Sequence, residues 1–319
     1  MNPQTAPSSR RTGILAVHSV NRFVFSVPDL AVAHKFYATF GLDVREQADR
    51  LDLFSFGHSH AWASIFQAGD RKQLQYVSYG IFAEDEAAFR ERIAQLGIGI
   101  APHPLGDKAG IWLRDPDGTA IQLVVASKVS PSGPSPAIAP EVTPRGKGAA
   151  PSRSQVRPVR PRHLSHILQF TPDVTGMVAF CKAVLGLRLS DHSGDIIAFT
   201  HTPHGCDHHL VAFAKSHAPG LHHSSWDVAG VEEVGRGAEQ MRNAGWGQGW
   251  GVGRHVLGSN YFNYVRDPWG SFCEYSSDID FIPADLDWPS ADHPPEDSLY
   301  VWGPALPADF VTNQEQPSP

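Results

Sequence analysis

Residues 251–275 have the sequence GVGRHVLGSNYFNYVRDPWGSFCEY. Residues 261–265 alternate like a half-buried strand, residues 267–270 are a turn signal, and a second strand begins at residue 272. Because side chains on a strand alternate between faces, we expect Glu274 to face opposite Cys273. Burying a carboxylate on such an aromatic-rich strand is costly unless a positive group meets it, and a metal ion is one such group. A glutamate that points to water from an edge strand is the simpler alternative.

The first part of the chain predicts two successive modules of strands around one helix each. Strands are indicated by β-branched and aromatic residues between turn signals, and helices by apolar spacing that ends at a glycine. The first predicted module has a strand at 20–27, a helix at 30–40 and strands at 42–45, 51–56 and 61–67. The second has a strand at 74–82, a helix at 84–96 and strands at 110–113 and 119–125.

The same pattern returns after a Pro-, Ser-, Gly- and Arg-rich segment. We interpret that segment, residues 127–162, as a linker that is extended and mobile in part. Beyond it, three anchors recur in the same order, which predicts a tandem duplication. The matching stretches are 166–173 with 22–29, 221–228 with 74–81, and 265–274 with 113–122.

Aligning the two halves reveals a chemical difference at three equivalent positions. The first half has Arg22, Tyr76 and Gln122, and the second has His166, His223 and Glu274. Two neutral imidazoles and one carboxylate with open coordination positions are the ligand set of non-haem Fe(II) enzymes that use O₂. Any one of these histidines alone would more often be a core or surface residue. The three coincident changes favour a metal site in the second half only.

Composition argues against several classes of function. The chain has 33 acidic and 26 basic residues, a formal charge of −7 and no basic stripe, so nucleic acid is not an expected partner. No apolar run is long enough to span a bilayer, and residues 1–13 lack a signal-peptide core. The three cysteines form neither a paired framework nor a metal-binding spacing. We therefore expect a cytoplasmic protein without membrane contacts.

These motifs resemble those of the type I extradiol ring-cleaving dioxygenases of the vicinal oxygen chelate superfamily. The resemblance implies an α+β fold of tandem paired βαβββ modules that form two partly open barrels. It also implies four regions: an N-terminal domain without metal at 1–126, the linker at 127–162, a catalytic domain at 163–282 and a C-terminal tail at 283–319. The matching residues are His166 in His-Ile-Leu-Gln-Phe, His223 at the end of Leu-His-His, His255 at the end of Gly-Arg-His, Tyr264, and Glu274 in Cys-Glu-Tyr.

The resemblance also implies roles for these residues. The metal ligands would be His166, His223 and Glu274, holding Fe(II) or, in some relatives, Mn(II). His209 would be a catalytic residue beside the O₂ site, and His255 and Tyr264 would be catalytic residues that hydrogen-bond the substrate oxygens. The implied partners are a small aromatic diol and O₂, and we expect a homo-oligomer.

Two of the predicted site histidines have a histidine directly before them in the chain. Because adjacent residues on a strand face opposite sides, His222 is expected on the face away from the metal, as a structural residue. By the same reasoning His209 is expected to face the site in preference to His208.

The motifs are most similar to the homoprotocatechuate-type branch of that family. Ser259-Asn260 after Gly-Arg-His, and Trp302-Gly303, carry this similarity. That branch holds a substrate carboxylate with arginines, but the corresponding positions here have Trp250 and Leu299. A carboxylate buried without a partner is penalised by roughly several kcal/mol. We therefore expect a catechol with a neutral or apolar substituent, and Trp250 in the substrate-binding wall.

Three alternatives share this fold. A glyoxalase-like isomerase would use Zn²⁺ or Ni²⁺, but it usually needs ligands from both repeats or two subunits, and Arg22 and Gln122 do not supply them. A hydroxyphenylpyruvate-type dioxygenase would have an extended C-terminal helix, whereas residues 280–319 are Pro-rich. A non-enzymatic binding or resistance protein is the third alternative, and an aerobic assay with Fe(II) and catechol distinguishes it from an enzyme.

Overall fold

The computed structural model describes residues 9–136 and 145–316. Part of the predicted linker, residues 137–144, therefore lies outside the described residues, as do the two ends of the chain. The first half contains nine strands and helices, in this order: β1 Ser19–Val27, α1 Leu30–Phe40, β2 Asp43–Glu46, β3 Arg50–Phe54, β4 Ala63–Gln67, β5 Gln73–Ile81, α2 Glu86–Leu96, β6 Ile111–Arg114 and β7 Ala120–Val125.

The second half follows the same order and adds short elements. Its elements are β8 His163–Thr171, α3 Val174–Phe180, β9 Arg188–Ser193, β10 Ile197–His201, β11 Cys206–Asp207, β12 Val211–Lys215, β13 Gly220–Asp227, α4 Val231–Asn243, β14 Gly249–His255, β15 Tyr261–Arg266, β16 Phe272–Ser277, β17 Phe281–Ile282, α5 Pro295–Ser298 and β18 Tyr300–Trp302. The predicted tail thus contributes α5 and β18, and β18 pairs with β14.

Local signals explain where α1 begins and ends. Asp29 is its N-cap, and the carboxylate accepts hydrogen bonds from the backbone N–H groups of Ala31 and Val32 at 2.8 and 3.0 Å. Gly41 ends the helix at φ 103°, a left-handed conformation that favours glycine. The predicted bounds of α1 match the structure because both signals are local.

Sheet topology confirms the duplication. The first half forms a seven-stranded sheet in the order β2-β3-β4-β1-β5-β7-β6, and the second forms a nine-stranded sheet in the order β18-β14-β15-β16-β13-β8-β12-β10-β9. β1 runs parallel to β4 and antiparallel to β5, and β8 runs parallel to β12 and antiparallel to β13. The predicted α+β fold of two tandem halves is confirmed.

The two halves pack against each other through buried contacts. Phe40 on α1 stacks on Tyr275 on β16 with ring centroids 3.9 Å apart, and the Tyr275 hydroxyl donates to the Phe40 carbonyl at 2.7 Å. Lys72 and Asp267 form an ion pair in which both side chains are buried. The strand that carries Glu274 is therefore braced by the first half.

Two further predictions concern membranes and thiols. In the described ranges, 9–136 and 145–316, no helix combines the length and apolarity needed to cross a membrane. All three cysteines are free and buried, which confirms that they form no disulfide framework.

Candidate metal centre

Three adjacent strands bring the predicted ligands together. In the nine-stranded sheet, β13 lies between β8 and β16. Ser225 on β13 pairs with His166 on one side and with Glu274 on the other, so these two side chains are level. His223 lies two residues before Ser225 and therefore shares its face. The register alone places two imidazoles and one carboxylate on one face of the sheet.

The donor atoms of these residues converge. His166 Nε2 lies 3.3 Å from His223 Nε2 and 3.4 Å from Glu274 Oε2, and His223 Nε2 lies 3.6 Å from the same oxygen. Donors that share one metal ion at about 2.1 Å are separated by about 3.0 to 3.6 Å, so this set suits a metal with its other coordination positions open. All three side chains are buried.

Glu274 has one oxygen in a hydrogen bond and one without a partner. Oε1 accepts from the Asn260 side-chain amide at 3.1 Å, whereas Oε2 is buried and has no hydrogen-bond partner. A buried carboxylate oxygen without a partner is costly unless a cation meets it. Oε2 is the oxygen that faces both histidines, so the chemistry of the donor set fits a metal ion there.

The outward-facing nitrogen of each histidine ligand is fixed by a hydrogen bond. Ser165 Oγ donates to Asp207 at 2.6 Å and therefore accepts from His166 Nδ1 at 3.3 Å. His222 Nε2 donates to the Phe310 carbonyl at 2.8 Å. Its Nδ1 then accepts from His223 Nδ1 at 2.7 Å. These partners leave the lone pair of each Nε2 directed at the candidate metal position.

Electrostatics gives the ligands the protonation states that a metal requires. Burial lowers the pKa of His223 well below its usual value, so this imidazole is neutral. Burial raises the pKa of the Glu274 carboxyl, but the adjacent His166 outweighs that effect and holds the pKa below its usual value. Glu274 is thus an anion beside a neutral imidazole.

The predicted catalytic side chains surround the same point. The His209 ring lies against the ring of His166, with centroids 3.9 Å apart. His255 Nδ1 donates to the Leu299 carbonyl at 2.8 Å, so its Nε2 accepts from the Tyr264 hydroxyl at 2.9 Å. Burial raises the pKa of Tyr264 well above its usual value, which keeps the phenol protonated.

These residues line one cavity. The rest of its wall is largely apolar, and no Lys or Arg lines it within the described part of the chain. The apolar lining residues are Leu168, Ile197, Phe199, Ala214, Leu257, Leu299, Leu306, Phe310 and Val311. Four of these, Leu299, Leu306, Phe310 and Val311, come from the predicted tail, so the tail forms part of the wall.

The structure corrects two predictions about side-chain direction. His222 was expected on the far face, but it lines the cavity beside His223, because a register irregularity between Leu221 and His223 interrupts the alternation of faces. Trp250 was expected in the substrate-binding wall, but it is not among the residues that line the cavity. It pairs with Tyr264 across β14 and β15 and stacks behind that ring, with centroids 5.7 Å apart.

The first half uses its equivalent positions for other contacts. Ser78 pairs with both Arg22 and Gln122. Ser225 pairs with His166 and Glu274 in the same way, so the two halves share one strand register. The Arg22 guanidinium donates to the Ala61 carbonyl at 3.3 Å, and the Gln122 amide donates to Asp107 at 2.7 Å. Among the described residues, the one group of His, Cys, Asp and Glu side chains that could hold a metal is in the second half.

Three supporting residues were not predicted. Asn260 donates a hydrogen bond to Glu274, and the Phe310 carbonyl accepts one from His222. Asp207 accepts from Ser165, which in turn accepts from His166. Asn260 lies in a stretch that carried the branch similarity, so a signal for it existed. Phe310 acts through its backbone carbonyl and comes from an aperiodic segment, so no sequence pattern indicated it.

Comparisons with known proteins place this geometry among its relatives. Residues 163–275 match the family model described as Glyoxalase/Bleomycin resistance protein/Dioxygenase superfamily. Metapyrocatechase 2 of Cupriavidus necator is 52% identical over 301 residues, which covers 94% of this chain and 93% of that protein.

Solved structures share the fold at low identity. The Mn(II)-bound glyoxalase from Novosphingobium aromaticivorans has a TM-score of 0.70 at 24% identity, covering 95% of each chain. A variant of homoprotocatechuate 2,3-dioxygenase from Brevibacterium fuscum has a TM-score of 0.75 at 17% identity, covering 96% of this chain and 84% of that one. At these identities the likeness concerns the fold.

Proposed function

Because the chain belongs to the extradiol dioxygenases of the vicinal oxygen chelate superfamily, we propose that it opens the ring of a catechol by inserting both atoms of O₂. The convergence of His166, His223 and the unpartnered oxygen of Glu274 on one cavity is the observation that carries this proposal. The wall around that point is largely apolar, which suits an aromatic ring.

A metal cofactor agrees with both the family and the three ligands, and Fe(II) is the metal we propose, with Mn(II) as the second candidate. A redox-active divalent ion held there would bind both oxygens of a catechol and couple the electrons of the ring to dioxygen. The charge of Glu274 and the neutral imidazoles leave such a site with a net positive charge, which favours a catecholate.

The residues beside the ligands would orient the substrate. His255 accepts the hydroxyl hydrogen of Tyr264, so the Tyr264 oxygen keeps its lone pairs for a hydrogen bond from a catechol hydroxyl. His209 lies against His166 and lines the cavity, where it would first take a proton from a substrate hydroxyl and then serve as an acid to the reacting oxygen. These three side chains are the proposed catalytic residues.

The composition of the wall supports a substrate with a neutral or apolar substituent. Leu299 lines the cavity, and among the described lining residues Glu274 is the one carboxylate and there is no cation. A substrate carboxylate would therefore lose its hydration without gaining a partner. Leu299 and the rest of the lining determine this preference, because Trp250 lies behind the Tyr264 ring.

An aerobic assay tests the proposed function. The protein is reconstituted with Fe(II) without oxygen, and catechol is then added in air. We expect a yellow ring-opened product and the uptake of one O₂ for each catechol consumed. Glu274→Gln, which replaces the charge at nearly constant volume, is the matched inactive control. Full iron occupancy with neither colour nor oxygen uptake would favour a binding protein. The predicted cytoplasmic location and homo-oligomeric state remain predictions.

A further inference from the structure

A chain of hydrogen bonds leads from His209 to a buried carboxylate that the proposed reaction does not use. His209 Nδ1 lies 3.1 Å from His208 Nδ1, and His208 Nε2 lies 2.9 Å from Asp191 Oδ2. His208 and His209 are both buried. Asp191 comes from β9, so the chain connects the edge of the sheet with the cavity.

Asp191 is held as an acceptor on both oxygens. Oδ1 accepts from the Ala291 backbone N–H at 2.8 Å and from His293 Nε2 at 3.3 Å. Oδ2 accepts from Trp288 Nε1 at 3.2 Å as well as from His208. Burial raises the pKa of Asp191, but hydrogen bonds from His208 and Ala291 hold it below its usual value. Asp191 is therefore an anion that can only accept hydrogens.

The donors and acceptors along this series of hydrogen bonds determine which nitrogen of each imidazole carries the hydrogen. His208 must carry its hydrogen on Nε2 to donate to Asp191, which leaves its Nδ1 as an acceptor. The Nδ1 of His209 must then donate to it. A neutral His209 therefore has no hydrogen on Nε2. This is the arrangement by which a carboxylate selects the tautomer of a catalytic histidine, extended here by one imidazole.

We propose that Asp191 and His208 are positioning residues that hold His209 with its hydrogen on Nδ1, so that Nε2 accepts a hydrogen bond from a ligand hydroxyl in the cavity. The role of this bond in ring cleavage rests on the proposed function, whereas the tautomer itself does not. His222 and His223 repeat the device, with the Phe310 carbonyl in the place of the carboxylate. Two of the cavity histidines are thus oriented by the histidine that precedes them.

Asp191→Asn should reverse the chain of hydrogens. The Ala291 N–H is fixed in the backbone and makes a shorter bond, 2.8 Å, than the 3.2 Å bond from Trp288, so the asparagine oxygen stays on Ala291. The amide NH₂ then turns towards His208, and the Trp288 N–H loses its acceptor. His208 then accepts at Nε2 and donates from Nδ1, and His209 must carry its hydrogen on Nε2. His293→Ala is the matched control, because His293 contacts the same carboxylate but lies outside the path to His209.

Nitrogen NMR reads the tautomer directly. Long-range ¹H–¹⁵N spectra are recorded on the metal-free full chain labelled at histidine, with His209 assigned by comparison with His209→Asn. In the wild type and in His293→Ala, we expect His209 Nε2 to have the shift of an unprotonated nitrogen, and in Asp191→Asn that of a protonated one. A protonated Nε2 in the wild type overturns the proposal even if Asp191→Asn does not fold.

Steady-state kinetics of the iron-loaded protein is the second test of the positioning role. Asp191→Asn should lower kcat for catechol by about 10- to 100-fold with KM and iron content little changed, because partners of site histidines typically have effects of this size. His293→Ala should leave kcat unchanged. Equal losses in both variants, or a loss in Asp191→Asn with an unaltered tautomer, would overturn the proposal. If the wild type cleaves no catechol, the proposed function fails while the NMR result still decides the tautomer.

Discussion

Replacing Leu299 with arginine should change which catechols the protein accepts. Leu299 contributes its side chain to an apolar cavity wall and its backbone carbonyl to His255, and only the side chain changes in Leu299→Arg. In the wild type, a catechol with a carboxylate must bury that charge unpaired, which costs roughly 3–5 kcal/mol. Since about 1.4 kcal/mol is a factor of ten, 4-methylcatechol should exceed 3,4-dihydroxyphenylacetate in kcat/KM by about 100- to 4000-fold.

Arginine should recover part of that difference. A hydrogen bond to a charged group contributes about 1.5–3 kcal/mol, so the ratio of the two kcat/KM values should fall by about 10- to 100-fold in Leu299→Arg. Val301→Arg is the control, because Val301 is on β18 and its exposed fraction is 64%. Initial rates of product absorbance measure both ratios. A ratio that is equal in the two variants, or a wild type that prefers the carboxylated catechol, would refute the reasoning.

Three further predictions concern single side chains. His223→Ala should abolish iron retention and cleavage whereas Tyr76→Ala should keep the metal; full iron occupancy in His223→Ala, by metal analysis, would contradict the assignment. His209→Asn should keep iron and catechol binding but turn over slowly, and unchanged turnover at saturating substrate would count against its role. Burial raises the pKa of Glu315 from 4.5 to about 7, so only the unfolded state loses this proton between those values. Stability should therefore fall by about 3 kcal/mol across that range, and Glu315→Gln should flatten the decline seen in urea unfolding.

The convergence of the candidate metal ligands could be predicted because the duplication encodes a register. Ser78 and Ser225 occupy equivalent positions in the two sheets, so the alignment of the two halves determined which residues on the neighbouring strands pair with each serine. His166 and Glu274 then had to be level on one face. Helix α1 was predictable for a different reason, since its cap and its final glycine are both local signals.

The remaining features depend on contacts that no local period encodes. A strand irregularity turned His222 towards the cavity, and such irregularities are not visible in a pattern of alternation. Trp250 was expected in the substrate-binding wall, but its position behind the Tyr264 ring depends on how β14 pairs with β15. Phe310 and Asp191 reach the site from distant segments, where one hydrogen bond decides their importance.

The stack of Phe40 on Tyr275 has a consequence for how substitutions are tolerated along the chain. Tyr275 follows Glu274 directly. Glu274 therefore faces the cavity, while Tyr275 stacks on and donates a hydrogen bond to Phe40 of the first half. No first-half residue lines the cavity in the part of the chain that the structure describes. A mutational scan should nevertheless find positions on α1 where substitutions impair activity. Phe40→Ala should weaken metal binding, because it removes a contact of the residue next to Glu274. The half without the candidate ligands therefore supports the strand that carries one of them.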